Sequence, residues 1–117
     1  MKIEELKTIL KATVVVGEDQ LDTVITGGGA AELMEDVLSA AAKGCALLTG
    51  ATTARVMQTA RVMQVGAVVI VRGKQPTEEV IKLARDFNIA LLSTEYSLFV
   101  ACGRLYMNGM RGLDGSW

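Results

Sequence analysis

The sequence predicts an α/β domain, a three-layer sandwich in which helices flank both faces of a small, mostly parallel sheet. The first observation is three short apolar runs that begin at Cys45, Ala67 and Ile89, a period of 22 residues. The second is that Gly or Asn stands directly before each run, and both tolerate the left-handed backbone that ends many helices. Continuous apolar strands that alternate with helices are typical of a parallel sheet covered on both faces.

The residues before this regular region predict further elements. Apolar residues recur at helical spacing from Ile3 to Leu10, which predicts a short amphipathic helix. The β-branched run from Ala12 to Val16 predicts a strand that stops at Gly17. Residues 24–26 then predict a brief strand or extended segment that runs into the glycines 27–29, and residues 33–41 predict a second helix that ends at glycine 44.

The last two helices have recognisable starts. Thr77 is a suitable N-cap for a helix with an apolar stripe that reaches Phe87, and Ser97 is the expected start of the final helix. We predict one domain over residues 1–110 and a flexible, glycine-rich tail over residues 111–117.

Composition excludes several classes of function. The 117 residues include 12 basic and 13 acidic side chains, so no charge excess favours nucleic acid or an anionic membrane surface. No histidine is present, which excludes a Ser–His triad and the usual zinc sites, and no dinucleotide or P-loop motif predicts a cofactor. Two cysteines without CxxC spacing indicate buried free thiols and a cytoplasmic location.

Apolar residues exceed what a small core needs. Half of the residues are hydrophobic, and the mean hydropathy is +0.35. No apolar run approaches the roughly 20 residues of a membrane span. A subunit interface would bury this surplus, so we predict a homodimer that does not bind membranes or nucleic acid.

A perfect six-residue repeat, TARVMQ, occupies residues 53–58 and 59–64. Six residues turn a helix by about 600°, so equivalent residues lie about 120° apart. The repeat is either a duplication that a good helix former tolerates, or a helix that is apolar toward both the sheet and a partner. The second interpretation makes Val56, Met57 and Met63 the candidate dimer interface.

Four segments are predicted to meet beyond the carboxyl ends of the strands, where ligands bind to parallel sheets. Their backbone donors, hydroxyls and two cations suit a phosphate-bearing ligand, although the same residue types are also ordinary turn and cap residues. The candidate ligand-binding residues are Thr26, Gly27, Gly28, Thr49, Gly50, Thr52, Arg72, Lys74, Ser93 and Thr94.

We predict no catalytic residue. Glu32, Glu35 and Asp36 are expected on the solvated, salt-bridged face of a helix. No activating partner is evident near Lys74 or Tyr96, the remaining groups that carry out catalysis in other proteins.

The segment LDTVITGG, residues 21–28, followed by a helix and then by LTG at residues 48–50, resembles the DRTGG domain family. The turn at residues 72–76 and the strand end at residues 91–94 are similar to the same family. The resemblance runs from about Lys2 to Met110. Thr23 stands where the family name leads one to expect Arg.

This resemblance implies a regulatory module and not an enzyme. Related domains lie between paired CBS domains in regulated pyrophosphatases and ahead of the catalytic part of phosphotransacetylases, and the N-terminal domain of HPr kinase is similar. In the pyrophosphatases the domain contributes to dimerisation and lies beside an adenine-nucleotide effector site. The resemblance marks Asp22, Thr26, Gly27 and Gly28 as family signature positions.

Two functions therefore remain open. The chain is either a homodimeric regulatory domain that senses a small phosphorylated ligand such as an adenine nucleotide, or a pure interaction module. The second alternative dimerises or docks on a partner enzyme and has no ligand of its own. An enzyme that works without histidine is a third and weaker alternative.

Overall fold

Strands and helices follow the predicted alternation. The computed structural model describes residues 1–36 and 42–113. Its strands are β1 (Thr13–Val16), β2 (Gly28–Ala30), β3 (Ala46–Thr49), β4 (Ala67–Ile70) and β5 (Ala90–Ser93). The helices bounded within those residues are α1 (Ile3–Leu10), α2 (Ala54–Val62), α3 (Glu78–Phe87) and α4 (Leu98–Met107). A short 3-10 turn, Glu18–Gln20, follows β1.

The five strands form one sheet in the order β1-β5-β4-β3-β2. Strands β2 to β5 are parallel, and β1 is antiparallel to β5. Ala46, Ala67 and Ala90 stand opposite one another across the three central strands. The mostly parallel sheet is confirmed, although this register departs by one residue from the 22-residue period of the apolar runs.

Alternate residues of the central strands face opposite sides of the sheet, and both sides are buried. Leu48 and Val69 belong to a hydrophobic cluster with residues of α1 and α4. Their neighbours Leu47 and Val68 belong to a second cluster with residues of α2 and α3. Helices therefore cover both faces of the sheet, which confirms the predicted three-layer arrangement.

The predicted starts of the last two helices are confirmed. The hydroxyl oxygen of Thr77 accepts a 3.2 Å hydrogen bond from the N–H of Val80, and that of Ser97 accepts one of 3.2 Å from Val100. Each bond satisfies a backbone donor in the first turn of the helix that follows, which fixes where α3 and α4 begin.

Two of the three predicted left-handed residues have that conformation. Gly44 and Asn88 have φ angles of 79° and 55°. Gly66 does not, and Gln64 takes the left-handed conformation after α2 instead, with φ of 55°. Position 66 needs glycine for space, because a Cβ there would lie 3.0 Å from the carbonyl oxygen of Gly44.

The glycine run forms an edge strand, whereas the sequence predicts that it follows one. β2 consists of two glycines and an alanine, while Val24 makes only an isolated bridge. A Cβ at Gly28 would lie 2.7 Å from the sulfur of Met110. Glycine therefore lets the chain beyond α4 lie directly against this edge strand.

The residues just beyond position 110 also bind to the edge strand. The N–H of Gly28 donates a 3.0 Å hydrogen bond to the carbonyl oxygen of Arg111, and Leu113 packs against the core. Nearby, the N–H of Ile25 donates a 2.6 Å bond to the carbonyl oxygen of Met1. Residues 111–113 of the predicted tail thus contact the domain, and residues 114–117 of that tail lie outside the described residues.

The segment after β2 begins the helix predicted over residues 33–41. Residues 34–36 are helical, and the rest of the predicted helix, residues 37–41, lies outside the described residues. Within this segment, the carboxylate of Glu35 lies 3.1 Å from the guanidinium of Arg55 on α2. The ion pair joins the segment to the neighbouring helix.

The two copies of the tandem repeat lie in different environments, as their rotation about the helix predicts. Val56 and Met57 are fully buried, whereas Val62, the equivalent of Val56, is 73% exposed. Met63 is half-buried against the same core cluster. Val56 and Met57 are therefore wrong as predicted interface residues, because their side chains complete the core and do not face a partner.

Candidate functional site

The carboxyl ends of β3 and β4 bring two cations to one backbone turn. Gly50 directly follows β3, and Arg72 and Lys74 follow β4. The ammonium group of Lys74 donates a 2.8 Å hydrogen bond to the carbonyl oxygen of Gly50. The guanidinium of Arg72 lies against the same glycine, since a Cβ added there would be 2.7 Å from its Nη2 atom. Three of the predicted ligand-binding residues therefore meet at one point.

A carboxylate completes this group. Glu32, two residues beyond β2, accepts a 3.0 Å hydrogen bond from the N–H of Gly50 through its Oε2 atom. Its Oε1 atom lies 3.7 Å from Nη2 of Arg72. Glu32, Gly50, Arg72 and Lys74 are termed the charged cluster below.

Sequence reasoning missed the place of Glu32 at this edge. The only signal was its position shortly after β2, and two glycines with an alanine have low β-propensity. The expectation of a salt-bridged carboxylate holds for Glu32 and for Glu35, but their partners lie on different elements.

Backbone hydrogen bonds fix the turn that carries both cations. Arg72 and Gly73 are both left-handed, with φ angles of 64° and 66°. The N–H of Arg72 donates to the carbonyl oxygen of Tyr96 at 2.7 Å, and that of Gly73 donates to Thr94 at 2.9 Å. This backbone conformation is uncommon for a residue with a side chain, and the two bonds to the chain beyond β5 stabilise it.

Two predicted hydroxyl contacts are structural instead. Thr49 and Thr94 are both buried. The hydroxyl oxygen of Thr49 accepts a 3.1 Å hydrogen bond from the N–H of Ala51, and the hydroxyl of Thr94 donates one of 2.7 Å to the carbonyl oxygen of Leu10. Thr49 and Thr94 are therefore wrong as predicted ligand contacts, because packing covers them.

Thr52 and Ser93 lie at the same end of the sheet. Thr52 is half-exposed in the turn between Gly50 and α2. Ser93 is half-buried in a separate polar depression of about 140 Å³, which Lys11 and Glu95 also line. The structure thus divides the predicted edge into the charged cluster and this second depression.

Thr26, Gly27 and Gly28 lie at the opposite end of the sheet. Gly28 pairs with Ala46, the first residue of β3, so the segment stands beside the start of its neighbouring strand. The N–H of Thr26 donates a 3.0 Å hydrogen bond to the carbonyl oxygen of Gly44. The predicted meeting of four segments is wrong for this one, because the glycines begin a strand instead of following one.

The signature residue Asp22 lies beside the start of α1. Its exposed carboxylate is 3.7 Å from the ammonium group of Lys2, and such exposed pairs contribute little stability. The adjacent Thr23 accepts a 3.1 Å hydrogen bond from the N–H of Ile3 through its carbonyl oxygen. This part of the signature therefore anchors the first helix.

An apolar pocket of about 190 Å³ lies between β2 and α4. Gly28 and Gly29 line one side, and Cys102, Leu105 and Met110 line the other. The absent side chains of the two glycines leave this space open. Burial raises the pKa of the Cys102 thiol, so the pocket wall carries a protonated thiol at neutral pH.

The outer side of α4 is also apolar. Ala101 and Leu105 are buried, whereas Phe99 and Met107 are 88% and 87% exposed. Gly103 lies between the two exposed residues at a spacing of four, and a Cβ there would meet no atom within 4 Å. Helices that are apolar on all sides are normally covered, so this α4 ridge of Phe99, Gly103 and Met107 is a candidate protein contact.

Residues 1–36 and 42–113 contain neither a cluster of metal-binding side chains nor a membrane-spanning helix. Over these ranges, no three His, Cys, Asp or Glu side chains gather closely enough to hold a metal ion. None of the helices there has the length and apolar character needed to cross a membrane. Within the same ranges, Cys45 and Cys102 are free thiols.

The order of the strands and the helices on both faces define a three-layer α/β domain. The particular family follows from comparison with known proteins. The model of the DRTGG domain matches residues 5–106, and the chain therefore belongs to the DRTGG domain family. This confirms the expected resemblance. Comparison with curated protein sequences gave no match.

A solved structure shares the fold. It contains the CBS and DRTGG domains of the regulatory region of Clostridium perfringens pyrophosphatase, complexed with the activator diadenosine tetraphosphate. The TM-score is 0.76 at 18% sequence identity. The likeness covers 97% of this chain and 51% of the other, so this chain spans about half the length of that regulatory region.

Proposed function

We propose that this chain is a non-catalytic regulatory domain that senses a small phosphorylated ligand, such as an adenine nucleotide, at the charged cluster. The observation that carries the proposal is that the N–H of Gly50 already holds a carboxylate beside two cations. Backbone N–H, guanidinium and ammonium groups are the donors that bind phosphate in proteins. The activator bound to the related pyrophosphatase region supports a nucleotide as the ligand.

The groups at this edge favour binding over catalysis. The sequence has no histidine, and the hydroxyls of Thr49 and Thr94 are used in structural hydrogen bonds. The cations and backbone donors of the charged cluster hold an anion in place. A ligand bound there acts through a partner, and we propose a partner enzyme in the cytoplasm, where free thiols are the rule.

Calorimetric titration with diadenosine tetraphosphate, ATP, ADP and pyrophosphate tests ligand binding. Arg72→Gln and Lys74→Gln should each weaken binding about tenfold, because each removes a charge-assisted hydrogen bond to phosphate. Lys82→Gln removes the same charge from an exposed pair on α3 and should change affinity by less than about twofold. The absence of both heat and a thermal shift with all four compounds at millimolar concentration would contradict the proposal.

We further propose that the α4 ridge makes the chain a homodimer. Phe99 projects from the ridge, and Gly103 leaves a notch one turn away. In a two-fold dimer the phenyl ring of each chain fits the notch of a second copy, because a two-fold axis brings the same patch of both chains together. This ridge is also the observation that favours the alternative function, an interaction module without a ligand.

Light scattering during size-exclusion chromatography tests the ridge. Phe99→Glu and Met107→Glu should each convert a dimer into a monomer, because each places a charge at the centre of an apolar contact. Val62→Glu is the matched control, since Val62 is exposed on α2 and lies outside the ridge. A wild-type monomer at high micromolar concentration, or dissociation by the control alone, would rule out this interface.

A further inference from the structure

Glu32 contacts the same donors of the charged cluster that the proposed phosphate would use. Its carboxylate accepts the hydrogen bond that the N–H of Gly50 donates, at 3.0 Å. The same carboxylate lies 3.7 Å from the guanidinium of Arg72. An anion that uses these two groups must first displace Glu32, because the Gly50 hydrogen is engaged and like charges at one point repel each other.

The attachment of Glu32 is weak enough to be exchanged. The side chains of Glu32 and Arg72 are 44% and 51% exposed, and ion pairs in contact with water contribute little to stability. A phosphate group presents three acceptor oxygens and up to two charges, whereas Glu32 presents two oxygens and one charge. A phosphate can therefore make more charge-assisted hydrogen bonds at the cluster than Glu32 makes. A simple carboxylate can make no more of them than Glu32 already makes.

We propose that Glu32 is a built-in competitor that sets the specificity of the charged cluster, so that single carboxylates are excluded and phosphate or pyrophosphate groups bind. This inference rests on the ligand binding proposed above. The backbone on either side of Glu32 is held independently, since the N–H of Ala31 donates a 3.2 Å hydrogen bond to the carbonyl oxygen of Leu48 and Met34 is buried in the core. Displacement therefore moves the Glu32 side chain and leaves the segment in place.

Titration of inorganic pyrophosphate into the wild type and two variants tests the competitor. Glu32→Gln keeps an oxygen that accepts the Gly50 hydrogen bond but removes the charge that repels the ligand. We expect this variant to bind pyrophosphate about tenfold more tightly than the wild type. Glu35→Gln removes the same charge three residues away, and its affinity should stay within about twofold of the wild type.

Each outcome decides a different question. If the wild type and Glu32→Gln bind pyrophosphate with equal affinity, Glu32 does not compete with the ligand. The proposed ligand site is unaffected by that result. An equal gain in Glu35→Gln also overturns it, because net charge then explains the effect. Failure of all three proteins to bind either pyrophosphate or the nucleotides overturns both proposals.

An NMR titration of the wild type tests the displacement of Glu32 without any substitution, so a misfolded variant cannot affect the result. In an NMR titration with pyrophosphate, the amide signal of Gly50 and the side-chain carboxyl signal of Glu32 should shift together with one saturation curve. A Glu32 signal that stays fixed while Gly50 saturates overturns the displacement.

Discussion

The hydroxyl of Thr94 donates a 2.7 Å hydrogen bond to the carbonyl oxygen of Leu10, a contact across 84 residues of sequence. The same hydroxyl oxygen accepts a bond from the N–H of Tyr96 at 3.3 Å. Thr94 follows β5 and Leu10 ends α1. One buried side chain therefore holds the first helix and the turn beyond β5 in a fixed relation.

Thr94→Val should lower the free energy of unfolding by about 1–3 kcal/mol, because valine has nearly the same shape but leaves the Leu10 carbonyl without its donor. Urea denaturation followed by circular dichroism measures the change. Thr8→Val is the matched control, since its exposed hydroxyl also donates to a backbone carbonyl. The control should change stability by less than about 0.5 kcal/mol, and equal losses in both variants would show that burial of Thr94 is unimportant.

The tandem repeat offers a second matched pair on one helix. Val56→Ala should cost about 2 kcal/mol of stability, because Val56 is fully buried and its removal leaves a cavity. Val62→Ala, the equivalent change in the second copy, should cost less than about 0.5 kcal/mol. The same denaturation assay compares the two. A larger loss of stability in Val62→Ala would show that Val62, and not Val56, lies on the buried side of α2.

Two glycines should respond to alanine in opposite directions. Gly17 has φ of 103°, and a Cβ there would lie 2.9 Å from the Cα atom of Ala90, so Gly17→Ala should lose more than about 2 kcal/mol. Gly103 lies in a helix with open space around it, so Gly103→Ala should gain about 0.5–1 kcal/mol in the monomer. Denaturation at low protein concentration measures both. A loss in the monomer at Gly103 would contradict the open space seen there.

Burial raises the pKa of the Cys45 thiol above its ordinary value. The folded protein therefore keeps this proton at a pH at which the unfolded chain, with an ordinary thiol pKa of about 8.5, releases it. The contribution of this thiol to stability is complete below the pKa of the unfolded chain and is lost as the pH rises through the higher pKa of the folded protein. Unfolding free energies measured from pH 7 to pH 10 should fall less steeply for Cys45→Ala than for the wild type. Parallel curves would show that Cys45 does not titrate differently in the two states.

Local patterns explain why the central strands and their helices were predictable. The apolar runs of β3, β4 and β5 are buried along their whole or nearly whole length, so each carries its own signal. β2 carries none, because its glycines form a strand through pairing with β3 and contact with Met110 and Arg111, all of them distant in sequence. Because β2 cannot be recognised from its sequence, the predicted position of Thr26 and its neighbours is at the wrong end of the sheet.

The candidate site divides along the same line. Gly50, Arg72 and Lys74 follow strands that periodicity reveals, and parallel strands must bring such residues to one edge. Whether a threonine hydroxyl points outward or into the protein depends on packing, which the local sequence does not reveal. Thr49 and Thr94 were therefore predicted as ligand contacts although both are buried. The hydrogen bond between Glu32 and Gly50 depends on strand β2. Because the sequence does not reveal that strand, it does not predict the hydrogen bond.

The hydrogen bonds from Ile25 to Met1 and from Gly28 to Arg111 bring positions near both ends of the described chain to one short stretch of backbone. A linker that joins Met1 to Arg111 has little distance to span, because their partners Ile25 and Gly28 are three residues apart. Circular permutation should be tolerated for the same reason, with a short linker that joins the two positions.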